Sequence, residues 1–217
     1  MEITLLTATP LISLVKAARI SHDSTEEMDS FEINVLGPKD KKMLTRILKN
    51  RHDSILEHVV YQWRISGVSR AFLQEWSRHR FVSQTVESTR YTLRKFINQE
   101  KRYFTDAPSK GEKRTIVNRF CVVPPDAKGR FYVETYEALR RLYDVVSKGA
   151  DNDTAKYLLP ESWKTKLIAT INARELDHII SLRTGSEVLW EFREVAFSMH
   201  EVVHDVHRDL WQILDRR

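Results

Sequence analysis

The strongest constraint in the chain lies near its end. Val188, Phe192, Val195, Met199, Val202, Val206, Leu210 and Ile213 recur at steps of three and four residues. Residues at that spacing share one face of a helix, so the stripe predicts a single amphipathic helix of about seven turns. A stripe that long calls for an equally long apolar surface to bury it. It fits an oligomer interface without requiring one. The 217 residues are 41% apolar and 30% charged. A chain of that length buries roughly 70% of its unfolded surface, and a single globular domain over 1–217 is predicted.

The other patterns divide between helix and strand. Glu2–Thr7 and the β-branched, aromatic run 59–66 predict strands, the second ended by Gly67. Pro10–Ile20 and Lys39–Asn50 predict helices, separated by a polar loop at 21–30 and interrupted by RHDSILEH at 51–58. Ser69 is placed to cap a helix running through Phe72, Leu73 and Trp76 into Arg78. Residues 103–128 hold three of the six prolines and predict a surface loop. Tyr132, Tyr136, Leu139, Tyr143 and Val146 predict a helix, and Asn152–Leu159 a short one stopped by Pro160. Trp163–Ile171 predicts a strand and 172–183 a helix. The sum is a mixed α/β (α+β) fold with long helices.

Composition removes several functional classes. No apolar run approaches the ~20 residues of a membrane span. The opening MEITLLTATP has no basic stretch ahead of its apolar residues, which argues against a secretory leader. Cys121 has no second cysteine to pair with and suits a reducing, cytoplasmic setting. Its apolar neighbours predict an inert thiol. The formal net charge of +5 favours an anionic partner, which includes nucleic acid, a membrane surface or a phosphorylated small molecule.

The excess charge is concentrated. Between Arg78 and Arg102 stand seven Arg or Lys residues against Glu87 and Glu100. Within that segment RHRFVSQTVESTRY places Arg78, His79 and Arg80 side by side, and follows them with Ser83, Ser88, Thr89 and Arg90. Guanidinium forks match phosphate oxygens, and hydroxyls and loop amides extend such a grip. A flat His79 is suited to stack on or hydrogen-bond a ring. On these residues alone the reading is a protein that binds a nucleotide or a nucleic acid. Phe81 and Tyr91 are the only aromatics within 78–95, which is sparse for stacking single strands. HEVVH at 200–204 matches the zinc-protease pattern, with His207 on nearly the same face. The sequence offers no obvious third ligand. A helix edge at a protein interface is the better reading, a zinc hydrolase the lesser one, and no metal ligands are assigned.

Arg-His-Arg followed after seven residues by Ser, at Arg78, His79, Arg80 and Ser88, resembles the signature of the flavin-dependent thymidylate synthases. Three further segments agree in order. RHDSILEH resembles the family's segment before a strand and implies His52, Ser54 and Glu57 on the flavin side. AKYLLP is similar to a short helix in which a basic residue, here Lys156, reaches the nucleotide of a neighbouring subunit. NARELDHIISLR implies Asn172, Arg174 and His178 near FAD, and Arg183 on the uracil ring. The resemblance further implies Arg78, His79 and Arg80 against FAD, with Arg78 also near dUMP. It implies Gln74, Glu87, Ser88, Thr89 and Arg90 around dUMP. It implies FAD as cofactor, NADPH and methylenetetrahydrofolate as co-substrates, and a homotetramer with shared sites. The chain departs from the pattern at Thr85 and Val86, where many members carry a polar pair, and at Glu75, where Gln is common.

Overall fold

The computed structural model describes residues 1–21, 35–105 and 107–216. In chain order the elements are β1 (Glu2–Ala8), α1 (Ile12–Ile20), α2 (Pro38–Lys49), a 3-10 helix (Asp53–His58), β2 (Val60–Ser69) and α3 (Arg70–Trp76). They continue with β3 (Val82–Val86), α4 (Thr89–Glu100), α5 (Arg102–Thr105), α6 (Lys110–Phe120), α7 (Gly129–Ser147) and α8 (Asn152–Ala155). A 3-10 turn (Lys156–Leu158), β4 (Lys164–Asn172), α9 (Ala173–Arg183), α10 (Trp190–Val206) and α11 (Arg208–Leu214) complete them. The strands form one antiparallel sheet in the order β1-β2-β4-β3. Register follows from the strand ends. Thr9 N–H donates to Val60 O, Ala173 N–H to Val59 O and Arg70 N–H to Trp163 O. The expected mixed fold with long helices is the one observed.

The chain forms two compact units. One comprises Ser66–Glu75 and Val86–Leu167, with Met1. Its core gathers Phe96, Phe104, Ile116, Val117, Tyr136, Leu139, Tyr143 and Trp163. Phe96 meets Trp163 edge-on at 5.1 Å, and Phe104 stacks on Tyr143 at 4.8 Å. Cys121 lies buried in this core, and burial pushes its thiol up to about 11. The other unit comprises the described parts of Glu2–Ile65, Trp76–Thr85 and the chain from Ile168 onward. Leu11, Leu14, Leu44, Leu48, Leu56, Trp63 and Met199 are fully buried in it.

Four local expectations differ from the structure, and the loop predicted at 21–30 lies outside the described residues except for Ser21. Gly67 does not end β2. It takes a φ of 72°, a value L side chains rarely adopt, and a Cβ there would sit 3.4 Å from the Met1 backbone, so the strand runs on to Ser69. Ser69 then caps α3 by accepting from Phe72 N–H at 3.0 Å, but the helix stops at Trp76 rather than Arg78. Residues 103–128 contain α6 instead of one loop. Pro108, Pro124 and Pro125 all fall outside that helix, and Ser109 with Glu112 forms a reciprocal capping box at its start. Segment 82–100 holds β3 and α4, where the sequence reading saw only a cationic stretch.

The C-terminal stripe does not lie on one helix. It breaks at His207, whose backbone (φ −128°, ψ 48°) leaves the helical region. The reason is a buried polar contact. Tyr61 Oη lies 2.9 Å from His207 Nδ1, and Trp211 Nε1–H donates to the same hydroxyl at 3.0 Å. All three side chains are buried, so these bonds satisfy the Tyr61 hydroxyl, the Trp211 N–H and His207 Nδ1, while His207 Nε2 is buried with no hydrogen-bond partner among the described residues. Burial also pushes His207 down to about 4.

His207 makes folding pH-dependent with a definite sign. An unfolded histidine titrates near 6.5. Below that pH the unfolded chain binds a proton the folded chain refuses, so stability falls from about pH 6.5 toward pH 4. His207→Gln removes this titration. In urea unfolding, wild type should lose about 2 kcal/mol more than the variant between about pH 8 and pH 5. Equal losses would show that His207 is not held neutral by the fold.

Candidate functional site

The larger unit carries a cavity of about 940 Å³ beside α9. Arg51, Arg78, Arg80, Arg174 and Arg183 line it, with Asp53, Glu57, Glu175 and Asp177 as counter-charges. At its base His79 is 7% exposed, while Arg78 and Arg80 on either side are exposed. The turn after α3 explains the alternation: it sends the middle side chain inward and its neighbours outward. Among the described residues neither Arg78 nor Arg80 has a carboxylate partner.

His79 is held from both sides. Arg183 Nε–H donates to its Nε2 at 3.0 Å, and its Nδ1 lies 3.2 Å from Glu175 Oε1. A guanidinium has no acceptor, so Nε2 carries the lone pair and the single ring proton sits on Nδ1. The contact with Glu175 is therefore a hydrogen bond from a neutral imidazole. Burial, reinforced by the Arg183 and His178 charges, pushes His79 down to about 4. Burial pushes the Glu175 carboxyl upward. Phe192 lies under the Arg183 guanidinium at 4.6 Å and packs edge-on to His79 at 5.5 Å. Phe192 also packs on Trp76 at 5.6 Å.

The start of α9 supplies the rest. Asn172 is its N-cap and accepts from Glu175 N–H at 2.9 Å. Arg174 points outward and meets Glu57 of the 3-10 helix at 2.6 Å. His178 follows one turn after Arg174, with its ring 6.1 Å from His79. Asn172, Arg174, His178, Arg183, Glu57, Arg78, His79 and Arg80 thus share one cavity. His52 and Ser54 do not line it. They are exposed and line a second cavity of about 860 Å³ with Met43, Arg46 and Ile47 of α2.

The smaller unit carries the other predicted contacts. Ser88 is the N-cap of α4 and makes no side-chain capping bond, and Thr89 and Arg90 open the helix. The expected loop nest is thus a helix N-terminus, where free amides and the helix dipole favour an anion. The five residues of β3 separate the Arg-His-Arg group from Ser-Thr-Arg along the chain. Arg90 pairs with Asp153 at 2.7 Å, and Lys156 reaches the same carboxylate at 3.3 Å. Asn152 Nδ2 donates to Arg90 O. Glu87 pairs with Lys166 at 3.3 Å, so its charge is already partnered. Gln74 is exposed on α3.

Sequence reading missed Glu175, Phe192 and Asp153. Asn172-x-x-Glu175 has the form of a capping box, which hides Glu175 as a helix-start residue. Phe192 belongs to the apolar stripe, and nothing in its spacing marks it as the floor under Arg183. Asp153 stood unremarked among polar residues, although its one-turn spacing from Lys156 was a usable signal.

One unit carries a cationic cavity built on a buried imidazole, and the other carries a helix N-terminus flanked by Arg and Lys; each by itself suits an anionic ligand. Comparison with known proteins narrows this. The thymidylate synthase complementing protein family matches residues 4–207. A flavin-dependent thymidylate synthase from Wolinella succinogenes is 38% identical over 212 residues, covering 97% of each chain. One from Helicobacter pylori is 35% identical over 214 residues, covering 98% of each. The crystal structure of Helicobacter pylori thymidylate synthase X with FAD and dUMP superposes with a TM-score of 0.83 at 32% identity, over 99% of this chain and 98% of that one. The chain belongs to the family of flavin-dependent thymidylate synthases.

The tautomer is directly observable. In histidine ¹⁵N spectra His79 should stay neutral and Nδ1-protonated from pH 8 down to about pH 5. An imidazolium signal for His79 at neutral pH would contradict the contact geometry.

Proposed function

We propose that this chain is a flavin-dependent thymidylate synthase that converts dUMP to dTMP. The observation that carries the reading is the Arg183–His79–Glu175 chain at the base of a cavity rimmed by Arg78 and Arg80. The donor set fits a flavin dinucleotide. Exposed guanidiniums suit its diphosphate, and the neutral imidazole, with both nitrogens already bonded to Glu175 and Arg183, leaves its ring face for a flat heterocycle. FAD reduced by NADPH supplies the hydride, and methylenetetrahydrofolate the one-carbon unit.

The residues have distinct tasks. Arg78, His79, Arg80, Asn172, Arg174 and His178 hold the flavin, with Glu57 restraining Arg174. His52 and Ser54 serve the flavin from the second cavity. Arg183 faces the pyrimidine and favours the ring's anionic form as N3 loses its proton. A guanidinium fixed on Phe192 and His79 does this without having to be reoriented during the reaction. Ser88, Thr89 and Arg90 grip the nucleotide phosphate at the start of α4, with Lys156 brought beside Arg90 by Asp153. Gln74 and the backbone at Glu87 complete the contacts to dUMP.

A homotetramer with sites built from more than one chain is part of the proposal. Phe81, Tyr91 and Tyr157 support it: each stands beside a site residue and is about four-fifths exposed. Large rings left in water at a functional rim suit a partner surface. No helix among the described residues is long and apolar enough to cross a membrane, and a cytoplasmic enzyme follows from the reading.

Purified protein should be yellow, release FAD on denaturation, and form dTMP from dUMP only with NADPH and methylenetetrahydrofolate. A colourless chain that takes up no added FAD would overturn the assignment. Arg90→Ala should raise the KM for dUMP about ten- to a hundredfold, the worth of one charge-assisted phosphate contact. Flavin content should not change. An unaltered KM would remove Arg90 from the phosphate site.

A further inference from the structure

The break at His207 has a second consequence. In an unbroken helix residue 215 would lie about 16 Å along the axis from residue 204. Because the chain turns at His207, α11 packs back beside α10, with the Trp211 ring 5.9 Å from that of His200. Asp215, just beyond α11, thereby reaches both exposed-edge histidines of α10. Its Oδ1 lies 3.2 Å from His200 Nε2 and its Oδ2 lies 2.6 Å from His204 Nε2. The three ligand atoms all fall within 4.8 Å of one another, and the three side chains are 28–42% exposed.

We propose that His200, His204 and Asp215 form a site for a zinc-class divalent cation. The two imidazoles sit one helical turn apart with rings 4.6 Å from each other, the spacing by which HxxxH pairs chelate on a helix. Tetrahedral zinc with ligand bonds of about 2.0–2.2 Å sets its donor atoms about 3.3 Å apart, so the present contacts need only small rotamer changes. Two neutral nitrogens and one carboxylate suit zinc, nickel, cobalt or copper and disfavour magnesium and calcium. The sequence pattern lacked a third ligand because Asp215 is brought in by the turn, not by helical periodicity. Leu214 beside it lines the cavity around His79, so the metal ties one wall of that cavity to α10.

The probe is ZnCl₂ titrated calorimetrically into the chelator-treated full chain with its flavin bound, at pH 7.5. Wild type should bind one zinc per chain at about micromolar dissociation constant or tighter, and its Tm should rise by several degrees in excess zinc. D215N and H204A should each bind about a hundredfold more weakly and lose the Tm rise. D215N keeps the shape of the side chain and carries the test if H204A folds poorly by circular dichroism. Wild type without micromolar zinc binding, or a folded D215N that binds as tightly as wild type, would overturn the site.

Discussion

The hydrogen bonds on either side of His79 are what the candidate site depends on. Arg183 can donate to Nε2 only while that nitrogen is unprotonated, so the imidazole must stay neutral. Burial supplies that condition, and Glu175 fixes the ring's rotation by taking the Nδ1 proton. Arg183 in turn sits over the Phe192 ring. A guanidinium on an exposed helix end would otherwise sample many rotamers, and its ordering would have to come from the ligand. Here most of that ordering is present before any ligand arrives, which is the property electrostatic catalysis needs.

How much of this was legible beforehand follows the range of the interactions. Strands and helices whose signal is periodic came through: β1, the first part of β2, β4, α2, α7 and α9 lie within a few residues of expectation. The misses have specific causes. Gly67 is a break in most contexts, but here its positive φ lets β2 pass the Met1 backbone. Three prolines made 103–128 look irregular, although they bracket α6 and the Ser109–Glu112 box announces it. The long C-terminal stripe keeps its period through residue 213, so nothing local reveals the break at His207. Tyr61, some 146 residues earlier, imposes it through a buried hydrogen bond.

For the site, residue types were more legible than arrangement. Arg78, His79, Arg80, Asn172, Arg174, His178 and Arg183 come from two distant segments, and the fold brings them to one cavity. The cations and hydroxyls of 78–90 pointed to a nucleotide or a nucleic acid, and only resemblance pointed to a flavin. What stayed hidden was the support beneath them: Glu175 behind His79, Phe192 under Arg183, Asp153 between Arg90 and Lys156. Each is an ordinary residue in its own segment and gains its role only from tertiary contact. Conversely, His52 and Ser54 stood close to Glu57 in sequence yet face a different cavity, because the 3-10 helix directs successive side chains to different sides.

In the proposed function Arg183 is the residue that joins the buried imidazole to the pyrimidine chemistry, so its removal is the variant that would separate binding from turnover. The decisive measurement is dTMP formation by Arg183→Ala, read together with bound FAD. The account predicts a yellow protein with flavin content near wild type and dTMP formation reduced by roughly a hundredfold or more, as for loss of a preorganised charge contact. Wild-type turnover in that variant would contradict the role of Arg183 and, with it, the purpose assigned to the His79 clamp.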